Sequence, residues 1–171
     1  MKILKYFTIL IFSLLLTNQA NAFLDKDGKG AQSTGREDLS FLEAKNSNFK
    51  KGKDALKQAI KYKKKNEFEK STKRLNKAIK YFVSAYEENP NNLDILNYLG
   101  LAYYMIGDTI MSEIYYNQAL DIDPNNNLIN QRLGELYFKT KRTSLAKEKL
   151  KILSNCNCEE YSVLKMIIDG K

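Results

Sequence analysis

Apolar residues recur every three or four positions from about residue 48 onward, which is the spacing of one face of an α-helix. Breaks at Gly107 and before Pro90 and Pro124 divide this stretch into segments of helical length. The pattern predicts seven helices and an all-α fold. They pair into three antiparallel hairpins at about 48–90, 92–124 and 126–154, followed by a final helix at about 159–168.

The second and third hairpins share a sequence repeat. Pro90 and Pro124 are each followed by Asn-Asn and lie 34 residues apart. Leu99-Gly100-x-x-Tyr103 recurs 34 residues later as Leu133-Gly134-x-x-Tyr137. A period of this length is typical of a solenoid built from stacked helical hairpins. The glycines let helices approach closely, and the tyrosines fill the space between helices.

On these motifs the chain resembles the tetratricopeptide repeat (TPR) family. The resemblance implies an α-solenoid of three hairpins plus a C-terminal capping helix, which covers the apolar side of the last hairpin. Leu164, Ile167 and Ile168 suit that capping position. The resemblance also implies a non-catalytic adaptor that binds a protein or peptide in its concave groove, with no cofactor.

The first hairpin fits the repeat only when its turn is placed at Asn66, which puts Ala59 at the small position and Tyr62 at the aromatic one. Asn66 then precedes Pro90 by 24 residues, whereas Gly107 precedes Pro124 by 17. The seven extra residues are close to two helical turns, so the second helix of this hairpin is expected to be about 10 Å longer than its neighbours. An Asn66–Glu69 capping pair is expected to start it. The expected apolar stripe along it is Phe68, Thr72, Leu75, Ile79, Phe82 and Tyr86.

The resemblance assigns the groove to the first helix of each hairpin. The corresponding positions are Lys53, Lys57, Lys63, Lys64, Asn97, Tyr98, Leu101, Tyr104, Met105, Gln131, Arg132, Glu135 and Phe138. Cations at both ends with aromatic and thioether groups between them suit an acidic peptide with an apolar anchor. Relatives that clamp a terminal carboxylate use lysine, asparagine and arginine. Here only Lys57, Lys63 and Arg132 are reminiscent of that set, and Tyr98 stands where an asparagine is expected.

Charge is divided unevenly along the chain. Residues 45–80 carry fourteen Lys or Arg against three acids, whereas residues 81–131 carry no Lys or Arg. A basic block of this kind suits nucleic acid, an anionic membrane or an acidic protein. Export, argued next, disfavours nucleic acid. The favoured interpretations are a solvated lysine-rich face and a surface for an acidic protein partner.

The N-terminus has the order of a secretory signal peptide. Lys2 and Lys5 precede an apolar run over residues 6–16, and Ala20-Asn21-Ala22 provides a cleavage site. The run is too short to span a bilayer. The sequence therefore predicts a signal peptide over 1–22, a flexible Gly-containing leader over 23–44 and a helical domain over 45–171. The mature protein is expected in the periplasm without stable membrane insertion.

Little in the chain supports catalysis or metal binding. The sequence contains no histidine, which excludes the commonest general base and every Ser-His or Cys-His nucleophile. Cys156-x-Cys158 is the one reactive pair, and two sulfurs cannot complete a zinc site. In an oxidising compartment a Cys156–Cys158 disulfide is expected. Free thiols that exchange electrons or bind copper(I), and an intermolecular bond, are the alternatives.

Two further functions remain open besides the adaptor. One is an envelope thiol-redox or copper(I)-handling protein that uses the two cysteines. The other is a structural protein that self-associates through the long first hairpin. The sequence leaves the partner and the oligomeric state undetermined.

Overall fold

The computed structural model describes the backbone from Arg36 to Gly170 and side chains from Ser47 onward. The described chain contains seven helices and no strand. They are α1 (Arg36–Lys64), α2 (Phe68–Glu88), α3 (Leu93–Ile106), α4 (Thr109–Ile122), α5 (Asn127–Lys139), α6 (Thr143–Leu153) and α7 (Glu159–Asp169). The chain divides into units of residues 1–38 and 39–171, and all but the first three residues of α1 belong to the second.

Two predicted segments lie wholly or partly outside the residues that the structure describes. The signal peptide, residues 1–22, lies outside the described residues. So does most of the leader predicted over 23–44, and α1 begins at Arg36 within that stretch.

Each helix packs mainly on its neighbours in the chain, which is the contact pattern of a solenoid. Within hairpins, α3 packs on α4 and α5 on α6. Between hairpins, α2 packs on α3, α4 on α5, and α3 on α5. The final helix α7 packs on α5 and α6. The all-α solenoid predicted from the repeat is therefore confirmed.

The three hairpin turns have the same backbone geometry. Asn66, Gly107 and Lys141 all have left-handed φ angles, of 60°, 93° and 62°. In each turn the next residue donates its backbone N–H to the carbonyl of the repeat tyrosine, which is the Schellman arrangement at a helix C-terminus. These bonds run from Glu67 to Tyr62 (3.0 Å), from Asp108 to Tyr103 (3.0 Å) and from Arg142 to Tyr137 (2.8 Å). The register proposed for the first hairpin is thus confirmed.

Small residues hold the two helices of each hairpin close together. The Ser71 hydroxyl donates to the Ala59 carbonyl (3.0 Å), and the Ser112 hydroxyl donates to the Gly100 carbonyl (2.9 Å). Ala146 occupies the equivalent position in the third hairpin and is fully buried. A Cβ added at Gly100 would lie under 3.0 Å from the Tyr116 ring, so only glycine fits this crossing.

The first hairpin is longer than the second, as the spacing predicted. Helix α2 has 21 residues and α4 has 14, and the seven extra residues add about 10 Å at 1.5 Å per residue. The added layer repeats the glycine–aromatic contact of the second hairpin, because a Cβ at Gly52 would lie under 3.0 Å from the Phe82 ring. Gly52 lies seven residues before Ala59, so the extra heptad keeps the same packing face.

Two details predicted for α2 are wrong. Glu67, not Asn66, is the N-cap residue and makes no side-chain cap bond, because Asn66 already serves the preceding turn. Phe68 and Thr72 are exposed, so the first two positions of the predicted stripe do not pack in the core. The buried residues of α2 are Ser71, Leu75, Ala78, Phe82 and Ala85.

Helix α7 covers the end of the third hairpin. Leu164 is fully buried and lies against Gly134, where a Cβ would come under 3.0 Å from the leucine side chain. Ile167 and Ile168 are half-buried on the same helix. The capping helix predicted from the sequence is therefore present in the fold.

Candidate functional site

The first helices of the three hairpins together form a pocket of about 400 Å³. Its lining residues are Lys53, Asp54, Leu56, Lys57 and Ile60 from α1, Tyr98 and Leu101 from α3, and Arg132 from α5. Five of these belong to the predicted groove set: Lys53, Lys57, Tyr98, Leu101 and Arg132. Residues far apart in sequence thus meet because the hairpins stack in register.

The pocket combines a basic rim with apolar walls. Lys53, Lys57 and Arg132 supply three cations, and Asp54 is the one acid in the lining. Leu56 is buried beneath the rim, and Ile60 is 36% exposed. The local excess of positive charge favours an anionic group on a ligand, and the walls suit an apolar side chain beside it.

The Tyr98 ring is fixed by two other aromatic rings. Its centroid lies 5.4 Å from that of Phe49 on α1 and 5.5 Å from that of Phe82 on α2. The Lys53 ammonium nitrogen lies 4.6 Å from the Phe49 centroid, a cation–π distance that places the lysine beside the cluster. The aromatic cluster joins the first hairpin to the second, and its Tyr98 lines the pocket.

Asn97 positions the Arg132 side chain. The Arg132 guanidinium donates to the Asn97 side-chain oxygen over 2.6 Å, and Asn97 is 8% exposed. Asn97 was predicted to line the groove, and the structure buries it behind Arg132. A buried acceptor that engages one nitrogen of the guanidinium restricts its rotamers and leaves other N–H groups for a ligand.

A second polar cluster lies between α3 and α5. The Tyr104 hydroxyl donates to one Glu135 carboxylate oxygen over 2.7 Å, and the Gln131 amide donates to the other over 3.4 Å. The Lys139 ammonium nitrogen lies 4.3 Å from the Tyr104 ring centroid. Burial, with a further contribution from the bond to Glu135, raises the pKa of Tyr104, so this hydroxyl stays protonated in neutral solution.

Comparison with known proteins agrees with this architecture. Residues 93–126 match the family model of the tetratricopeptide repeat. The protein has the fold of a TPR domain. No curated protein sequence matches the chain.

Three solved TPR structures illustrate the similarity. The first TPR of Spaghetti (RPAP3), bound to HSP90 peptide SRMEEVD, has a TM-score of 0.51 and 18% identity and covers 71% of this chain and 94% of its own. The second TPR domain of human RPAP3, in complex with HSP70 peptide SGPTIEEVD, has a TM-score of 0.55 and 16% identity, with coverage of 74% and 99%. The Arabidopsis OM64 TPR domain has a TM-score of 0.53 and 17% identity, with coverage of 72% and 98%.

The remaining predicted groove residues lie outside the pocket lining. Lys63 and Lys64 are exposed in the last turn of α1, next to the hairpin turn. Met105 and Phe138 are half-buried and pack against the core. Tyr104, Gln131 and Glu135 form the separate cluster described above. Five of the predicted groove residues therefore line one pocket, and the others lie elsewhere.

The sequence prediction missed the pocket residues Asp54, Leu56 and Ile60. They belong to the same helix as Lys53 and Lys57, at spacings of one to seven residues along α1. Following the helical face from Lys53 to Ile60 would have included them, because positions three, four and seven apart share a face. The Asp54 carboxylate reduces the net positive charge of the rim.

The two cysteines lie between α6 and α7. Their Cα atoms are 5.1 Å apart, which is within the range that a disulfide spans. Between Ser47 and Gly170, no group of three or more Cys, Asp or Glu side chains is arranged to hold a metal ion. None of the helices from α1 to α7 has the length and apolar character needed to cross a bilayer.

Proposed function

We propose that this protein is an exported, non-catalytic TPR adaptor that binds an acidic peptide segment in the pocket between α1, α3 and α5. The observation that supports the proposal is the convergence of Lys53, Lys57 and Arg132, from two different hairpins, on one pocket with apolar walls. Two of the structurally similar TPR domains are described in complex with acidic peptides that end in Glu-Glu-Val-Asp. An acidic segment with one apolar side chain is therefore the proposed ligand class.

Charge reversal at the pocket tests this proposal. The probe is a fluorescein-labelled SRMEEVD peptide, followed by fluorescence anisotropy at low ionic strength. Lys57→Glu is expected to weaken binding about tenfold or more, because it replaces an attractive charge by a repulsive one inside the pocket. A peptide with amides in place of its carboxylates should bind weakly to the unmodified protein for the same reason.

The matched control is Lys147→Glu, which makes the same charge change at an exposed position of α6 outside the pocket. Its affinity should stay within about twofold of the unmodified protein, since exposed charges are screened over about 10 Å. Equal affinities of the Lys57→Glu and Lys147→Glu proteins would contradict a role for the pocket. Failure of the unmodified protein to bind the peptide would contradict the proposed ligand class.

The proposed location is the periplasm. The support is the basic start, the short apolar run and the Ala20-Asn21-Ala22 site at the N-terminus. Export with cleavage after Ala22 predicts that the protein recovered from a periplasmic extract begins at Phe23. N-terminal sequencing and intact mass measure this directly, and an uncleaved Met1 in a cytosolic fraction would contradict it.

The proposed role of Cys156 and Cys158 is a disulfide before α7. The close approach of the two residues and an oxidising compartment both favour it. The Cys156→Ser/Cys158→Ser protein should bind the acidic peptide as the unmodified protein does, because neither cysteine lines the pocket. Lost copper(I) binding or thiol exchange, together with lost cellular function, would favour the thiol alternative.

A further inference from the structure

The turn of the first hairpin carries a dense group of exposed cations. Its members are Lys61, Lys63, Lys64, Lys65 and Lys70, and all five are exposed. The acids in this stretch are Glu67 and Glu69, and the Glu67 carboxylate is engaged by Lys70. The pocket between α1, α3 and α5 uses none of these lysines.

The cationic band continues along α2. Lys73, Lys77 and Lys80 follow Lys70 at spacings of three, four and three residues, so they share one face of the helix. All three are exposed, and the face from Lys70 to Lys80 is about 15 Å long at 1.5 Å per residue. This band lies on the side of α2 away from Phe68, because the nine residues from Phe68 to Lys77 turn the helix by about two and a half turns. We call Lys61, Lys63, Lys64 and Lys65 of the turn, together with Phe68, the lysine edge.

Phe68 is the apolar residue of the lysine edge. It is 60% exposed at the first position of α2, three residues after Lys65 of the turn. Lysines alone would keep the open end of a solenoid soluble. An exposed phenylalanine does not contribute to solubility, and the packing of α2 begins only at Ser71. The combination of clustered exposed lysines with an exposed aromatic ring is that of a surface that binds at a membrane interface.

We propose that the lysine edge docks this protein on an anionic phospholipid bilayer, with the lysines at the headgroups and the Phe68 ring at the boundary with the acyl chains. Clustered lysines are attracted to acidic lipids, and an aromatic ring partitions into the interface. The cations of the lysine edge are exposed around a hairpin turn, whereas those of the pocket converge on a concavity suited to a peptide. An extended anionic surface is therefore the occupant that the charge of the lysine edge favours. This attachment is peripheral and needs no membrane-spanning helix.

A single tryptophan tests the proposal on the full chain. The sequence contains no tryptophan, so Phe68→Trp provides the only indole emission in the protein. The probe is a vesicle of phosphatidylglycerol and phosphatidylcholine, compared with a vesicle of phosphatidylcholine alone. Docking should shift the emission to shorter wavelength on the anionic vesicles only, and brominated acyl chains should quench it, because the indole then leaves water.

Matched variants separate the lysine edge from the rest of the surface. In the Phe68→Trp background, Lys63→Glu/Lys64→Glu should weaken partitioning about tenfold or more, since each lysine near an acidic surface contributes to the attraction. Lys147→Glu/Lys151→Glu makes the same charge change on α6 and should leave partitioning nearly unchanged. A separate control keeps Phe68 and carries Ile110→Trp as its single tryptophan. Ile110, on α4, is 72% exposed, and the emission of this protein should not shift on either vesicle.

Three outcomes would overturn the proposal. The emission of the Phe68→Trp protein could stay unchanged while it sediments with vesicles, which would mean attachment through another segment such as residues 1–22. The shift could be equal on neutral and anionic vesicles. Soluble polyglutamate could bind with dependence on Lys63 and Lys64 while vesicles do not, which would assign the lysine edge to an acidic polypeptide.

Discussion

Lys141 occupies a backbone position that favours glycine. Its φ angle of 62° lies in the left-handed region, where the Cβ of most residues is crowded by the neighbouring carbonyl. Gly107 takes the same position in the second hairpin without that crowding. Asn66 takes it in the first, and asparagine tolerates the conformation better than lysine. The third turn is therefore the most strained of the three.

Replacing Lys141 by glycine is expected to stabilise the protein. Relief of the left-handed strain, reduced by the larger backbone entropy of glycine in the unfolded chain, leaves a gain of about 1 kcal/mol in the free energy of unfolding. Urea unfolding followed by far-UV circular dichroism measures this change. Lys147→Gly, in the interior of α6, should instead lower the free energy of unfolding by about 1 kcal/mol. A loss of stability in both variants would show that the turn is not strained.

The error at Asn66 has a physical origin. Asparagine is favoured both as a helix N-cap and as a left-handed residue at a helix C-terminus, so its type cannot distinguish the two roles. The repeat spacing decided the turn correctly. The capping role then passed to Glu67, because one residue cannot have both backbone conformations.

At the scale of elements, α7 completes the third hairpin. Leu164 inserts beside Gly134, and the absence of a side chain at Gly134 provides the space. The remaining exposed residues of α7, such as Met166, face solvent. One buried leucine therefore provides much of the apolar contact that attaches this helix.

Leu164→Ala is expected to lower the free energy of unfolding by about 2–5 kcal/mol, because it leaves a cavity at the junction of α5 and α7. Met166→Ala removes a side chain that is 56% exposed and should change the free energy of unfolding by about 0.5 kcal/mol or less. Chemical denaturation of the two proteins under one buffer condition gives the comparison. Similar effects of the two substitutions would contradict a capping role for α7.

The apolar stripe predicted on α2 was partly wrong because the buried face of this helix uses small residues. Hydropathy spacing selected Phe68 and Thr72, whereas the buried face uses Ser71 and Ala78, which are small. Tight helix crossings require small residues, and the Ser71 hydroxyl pairs with a carbonyl of α1. A pattern based on apolar character does not identify small or polar residues that are buried. The length of α2 was predictable, since it depended only on the distance between two turns.

The molecule as a whole is a stack in which a helix contacts mainly the next one or two along the chain. Helix α3 packs on α2 before it and on α5 after it. Helix α4 packs on α5, and its Tyr115 contacts Tyr86 of α2, whereas α7 is the last helix of the stack. Stability in such arrays is approximately a sum of repeat and interface contributions, so the ends open more readily than the middle.

Amide hydrogen exchange read by mass spectrometry should therefore show the slowest exchange in α3 to α5 and faster exchange in α7. Leu164→Ala should accelerate exchange in α5 to α7 first, with little change in α3. Uniform protection across all helices, or a loss that spreads equally to α3, would indicate a single cooperative unit instead of a stack.

The pocket was predictable in part because the repeat places equivalent positions on one surface. Lys53, Lys57 and Arg132 followed from that rule. The burial of Asn97 behind Arg132 did not, because it depends on the distance between two helices in different hairpins. Lys63 and Lys64 lie too near the end of α1 to line the pocket, and the exposure of Phe68 beside them depends on where α2 starts packing.

The extra layer at Gly52 and Phe82 restricts how such an architecture can change in size. Seven residues in each of two paired helices bring both contact faces back to nearly the same angle, whereas three or five would turn them away from each other. The helices of neighbouring hairpins in this fold can therefore differ in length in steps of about seven residues, and each step is about 10 Å.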